Sequence, residues 1–157
     1  MDLLRQAGAA AILVILTLSF QSAGMAALIH WAKARFARSI HVGPLYSAVF
    51  MIGFTVAMMV FHTLEILLWA GFYRRCCLIS WESSFYFSAS SYSTVGYADV
   101  ALPHLWRSLG PIEAVTGVLM CGLSVSLLFA IVTRLVGREN ALSKESQTLS
   151  VVNAFSK

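Results

Sequence analysis

The sequence predicts an all-α membrane protein with three transmembrane helices and a shorter re-entrant helix and loop between the second and third. Three observations carry this. The 157 residues are 59% hydrophobic and only 11% charged, with a mean hydropathy of +0.77, whereas soluble domains are about one-quarter charged. Three apolar runs, at about 7–31, 45–73 and 110–136, are each long enough to cross a hydrocarbon core of about 30 Å. Between the last two, residues 80–92 carry helix-start chemistry but reach only about 18 Å as a helix, too little to cross.

The first run, Ala7 to Trp31, is interrupted only by Gln21, Ser22 and Gly24. A cleaved signal peptide is the competing reading. Met1 to Gln6 sets one Arg5 against one Asp2, so the positive leading region is missing, and the apolar run exceeds a signal core. A retained span is expected. Ala32 to Pro44 follows as a polar connection with Lys33, Arg35, Arg38 and His41. Its three fixed positive charges without an acid point to the cytoplasmic side. Trp31, Phe36 and Ile40 also allow a short surface helix there. Residues 1–44 thus form the first span and its basic linker. These charges lie outside the apolar run, so they read as a topology signal with lipid headgroup contact and not as a voltage sensor.

Pro44 suits the start of the second span. Within that run His62 and Glu65 fall one turn apart on one face. Ionisable groups at such depth face protein or water. Two readings stand: a mutually satisfied pair at a helix interface, or a sharper role as a proton-sensitive gate or a contact that holds the re-entrant helix. In that helix Ser80 is the expected N-cap, and Glu82 suits the positive first turn. A helix that enters the bilayer and stops needs its following backbone buried in protein or lining water. Gly110-Pro111 opens the third span, with Glu113 in a first turn that favours an acid. Gly117 and Gly122, with Ser124 and Ser126, offer a small surface for close helix approach. Residues 45–136 group the second span, the short helix with its loop and the third span into one unit, and 137–157 form a short polar tail, too small to fold alone and expected to carry no nucleotide- or calcium-binding domain.

The connecting loop is Ser93-Thr94-Val95-Gly96-Tyr97-Ala98-Asp99. Thr94 to Asp99 resembles the selectivity filter of potassium channels, T-V-G-Y-G-D. The resemblance covers roughly residues 80–136, with the preceding span fitting more loosely. It implies a tetrameric potassium-channel pore in which rings of backbone carbonyls replace the water of a permeating ion. The implied K+ sites use the Thr94 hydroxyl and the carbonyls of Thr94, Val95, Gly96 and Tyr97, with Ala98 at the outermost ring. Aiming successive carbonyls one way takes backbone angles that a side chain resists, and Gly96 supplies one of them. Val95 and Tyr97 are expected to point away and pack as a cuff. The resemblance also places Tyr86, thirteen positions before Asp99, as a donor bracing that carboxylate. Ser90 stands where some relatives carry a second acid, and Gly117 or Gly122 is a hinge of the inner helix. Ala98 departs from the pattern, where a glycine is usual. If positive φ is needed there, alanine costs about 1–2 kcal/mol.

The implied function is passive potassium conduction through a homotetramer, with K+ as permeant ligand and no cofactor. Two alternatives stay open: a weakly selective cation channel, and a non-conducting accessory membrane subunit on the same scaffold. No nucleophile–base or metal constellation points to an enzyme, and no basic run interleaved with aromatics points to nucleic acid. The expected partners are further copies of the chain and membrane lipids. Of the eleven basic residues, Lys33, Arg35, Arg38, Arg134, Arg138, Lys144 and Lys157 fall on one side, and Arg5, Arg74, Arg75 and Arg107 on the other. This bias predicts a plasma (inner) membrane protein with its N-terminus outside and its C-terminus cytoplasmic. Cys121 reads as core. Cys76 and Cys77 read as a free or buried pair, with no metal-ligand spacing.

Overall fold

A computed structural model of the chain describes residues 2–38, 44–97 and 99–155. The linker 39–43 and Ala98, with its departure from the filter pattern, lie outside the described residues. The described residues form four α-helices: α1 (Asp2–Arg38), α2 (Pro44–Cys76), α3 (Trp81–Tyr92) and α4 (Leu109–Phe155), with a 3₁₀ turn at His104–Trp106 before α4. Three of them hold stretches long and apolar enough to cross a membrane: Leu4–Arg35, Leu45–Cys76 and His104–Arg138. The protein is an all-α membrane protein with three such spans, as its composition predicts.

The helices outrun the apolar patterns. The α1 helix continues through 32–38, where alanine, lysine and arginine dominate, all good helix formers. Lys33 and Arg35 therefore extend the first helix and do not begin a loop. The α4 helix runs on from about 136 to Phe155. No glycine or proline follows Gly137 in that stretch, so nothing local stops it.

The α3 helix packs between α2 and α4. Its start matches expectation: the Ser80 hydroxyl accepts from Ser83 N–H at 3.0 Å, and Glu82 sits in the first turn. The α1 helix packs against α2 and α4 through a few buried polar contacts. Trp69 Nε1–H donates to Thr17 Oγ1 at 3.0 Å, and Gln21 Nε2–H donates to Ser124 Oγ at 2.8 Å. Such bonds specify how helices pair in an apolar medium that offers no hydrophobic drive. One cluster of Leu28, Ala32, Phe50, Phe54, Met58, Ile131 and Leu135 fills one end of the bundle, and Leu13, Trp69, Tyr73 and Leu109 fill the other.

Candidate functional site

The site is a loop held open by its own helix. After α3, Thr94 N–H donates to Ser91 O at 2.9 Å, and Gly96 N–H donates to Ser90 O at 3.0 Å. Thr94 has φ 61° and Gly96 φ 65°, while Val95 and Tyr97 have no positive φ. Alternating the sign of φ turns successive peptide planes so that carbonyls from neighbouring residues face one side. Gly96 adopts its angle freely. Thr94 does not: a β-branched residue at positive φ is an outlier, and such strain persists only where the surroundings over-determine it. The residue type alone does not mark Thr94 for this angle, since β-branched residues avoid it.

Tyr97 stacks on Tyr86, with ring centroids 6.1 Å apart and planes 14° apart. Partial desolvation, followed by the charge and hydrogen bond of Asp99, holds the Tyr86 hydroxyl above its ordinary range. Tyr86, Tyr97 and Asp99 are therefore brought together behind the loop. Ser90 contributes through its main chain, accepting from Gly96.

Two buried carboxyl groups grip α3. Glu113, fully buried, lies against the middle of the helix. Tyr73 Oη–H donates to its Oε2 at 2.7 Å, and its Oε1 lies 2.5 Å from Ser88 Oγ. Ser88 Oγ also lies 2.9 Å from the Ile66 carbonyl of α2. One residue thus ties α2, α3 and α4 together. This corrects the expectation for Glu113: it serves a tertiary network, and α4 already begins at Leu109.

Glu65, also fully buried, meets the C-terminal end of α3. Tyr92 Oη–H donates to Glu65 Oε2, and His62 Nδ1 lies 2.9 Å from Tyr92 Oη and 3.4 Å from Glu65 Oε2. The His62–Glu65 pair is therefore joined to α3 through Tyr92, a residue that sequence reasoning passed over. Glu65 Oε1 has no partner among the described residues.

The two glycines of α4 differ. A Cβ on Gly117 would lie 2.1 Å from the Tyr92 carbonyl oxygen, whereas one on Gly122 would meet nothing within 4 Å. Gly117 is the position where α4 lets the end of α3 approach. Cys121 is exposed on α4 and not in the core, one turn beyond Gly117 on the same helix face; Cys76 and Cys77 are also free thiols. Burial, then the neighbouring Cys76, pushes the Cys77 thiol up to about 12. Among the described residues no His, Cys, Asp and Glu cluster is able to hold a metal ion.

Three apolar helices long enough to cross a membrane, with a short helix and a loop of alternating φ sign between the second and third, define a helical membrane protein. A family model described as ion channel matches residues 55–134, just over half of the chain, and the chain belongs to that family. The match runs from within α2 through the loop to the middle of α4 and leaves out α1. Comparison with curated proteins and with solved structures finds no match. Family membership assigns the chain to ion transport across a membrane.

Proposed function

We propose that the chain is the subunit of a potassium-selective channel in which four copies place Thr94–Tyr97 around one axis. The observation that carries this reading is the loop backbone: positive φ at Thr94 and Gly96, tied back to α3 by two main-chain hydrogen bonds. Thr94, Val95, Gly96 and Tyr97 are all exposed on the single chain. Such backbone cannot be left facing hydrocarbon, where each unsatisfied polar group costs several kcal/mol. Neighbouring copies around a water-filled axis meet that requirement, and closed cyclic symmetry is the usual arrangement of identical subunits.

In this reading the carbonyls of Thr94, Val95, Gly96 and Tyr97, with the Thr94 hydroxyl, take over a potassium ion's water shell. The C-terminal end of α3 directs partial negative charge toward the ion. Tyr86 and Asp99 support the loop from behind, and α4 lines the inner path. The orientation, with the loop entered from outside and the C-terminus in the cytoplasm, is part of the proposal.

The test is potassium flux into liposomes containing only this chain, with reversal potentials in opposed potassium and sodium gradients. Selective flux is expected. The purified oligomer should melt higher in potassium than in sodium, and Gly96→Ala should remove that difference, since alanine at φ 65° is strained by about 1–2 kcal/mol. Equal permeation by both cations would replace this reading with a weakly selective pore. No flux from an intact oligomer would replace it with an accessory subunit.

A further inference from the structure

At the end of the bundle remote from the loop, α1 and α4 do not close completely. A cavity of about 230 Å³ remains between them, lined by Ile29, Ala32, Lys33, Leu127, Ile131 and Arg134 among others. We propose that this cavity binds one anionic phospholipid, its phosphate between Lys33 and Arg134 and the start of an acyl chain on the apolar floor.

Three features of the cavity point to that occupant. Among the described residues its only charged lining residues are two cations, and neither has an ion pair there. Its floor belongs to a dry cluster: Ala32 and Ile131 are 3% and 5% exposed and pack with Leu28 and Leu135. Finally, Lys33 and Arg134 lie in the last turns of the spans Leu4–Arg35 and His104–Arg138, the level at which a bilayer presents its phosphates. Basic pockets between helices at this depth suit acidic headgroups. A free phosphate satisfies the two cations but leaves the floor empty, whereas a phospholipid fills both.

The site joins one helix inside the family match to one outside it, since the match begins at residue 55. It does not depend on which ion the loop conducts. An α1 helix wedged against α4 through a lipid would tie the state of the conducting helix to the charge of the surrounding membrane.

The test uses the purified full chain and native mass spectrometry, titrating phosphatidylglycerol or phosphatidylcholine. One phosphatidylglycerol per chain should be retained. Near a membrane surface each Lys or Arg contributes about 1 kcal/mol toward acidic lipid, so the Lys33→Gln/Arg134→Gln variant should bind about thirtyfold more weakly. Arg75→Gln, at the other end of the bundle, should bind as the parent does. The charge-conserving Lys33→Arg/Arg134→Lys variant should keep the site, which separates loss of charge from loss of fold. Unchanged affinity in the glutamine variant, loss of affinity in the charge-conserving one, equal retention of phosphatidylcholine, or equal binding of inorganic phosphate alone would each overturn the proposal.

Discussion

The two carboxyl groups that grip α3 are built alike and finished differently. Glu113 has both oxygens partnered, by Tyr73 and by Ser88. Glu65 has one oxygen on Tyr92 and the other without a partner among the described residues. The complete network holds the middle of the helix. The incomplete one holds its last turn, directly before Thr94 and Gly96. A satisfied buried network rigidifies, and a partly satisfied one is costly and easily rearranged. The difference sets a fixed anchor beside an adjustable one, with the adjustable one next to the loop that begins at Ser93.

The comparison breaks most severely at Glu113. Changing Glu113→Ala leaves a buried tyrosine and a buried serine hydroxyl without their acceptor, at roughly 1–3 kcal/mol each. Thermal unfolding in detergent should show a loss of about 4 kcal/mol, and a loss below about 1 kcal/mol would mean that the network carries no stability. Next is Gly117→Ala, which drives a methyl group into the Tyr92 carbonyl and should cost about 3 kcal/mol by overpacking. The control Gly122→Ala, in open space, should stay within about 0.5 kcal/mol of the parent. Tyr92→Phe removes the donor to Glu65 and should cost about 2 kcal/mol. Unlike Glu113→Ala, it should alter the potassium dependence of melting more than melting itself. If the two variants change both readouts in the same proportion, the contrast between the anchors is wrong. Apart from that control, the smallest effect belongs to Tyr86→Phe, which keeps the stack on Tyr97 and loses only the Asp99 interaction. Its thermal unfolding in detergent should match the parent's, because that site is exposed to solvent.

These cases show what a linear reading is able to find. The spans, the Ser80 cap and the positive φ of Gly96 were legible because each rests on local chemistry: apolar length, a hydroxyl before a first turn, a missing Cβ. His62 and Glu65 were visible as a pair because they lie one turn apart. Their link to Tyr92 was not, and neither was the meeting of Tyr73, Ser88 and Glu113, because these partners lie far apart in the chain and no periodicity pairs them. Glu113 looked like an acid placed for a helix end because only its neighbours in sequence were in view. The lengths of α1 and α4 were underestimated for a different reason. Hydropathy marks where a helix leaves lipid, not where it ends, and beyond 136 Arg138, Glu139, Ala141, Leu142, Lys144, Glu145 and Gln147 are good helix formers.

That last point has a mechanical side. The α4 helix is one rod of 47 residues, roughly 70 Å long at 1.5 Å per residue, and only part of it is needed to cross the bilayer. From its contact with α3 at Gly117 to Phe155 the shaft runs about 57 Å. A swing of about 5° at the fulcrum then displaces the far tip by about 5 Å. Small motions where α4 meets the end of α3 are thus magnified at the distant end of the shaft, and a force applied to that end returns to the fulcrum with the same leverage.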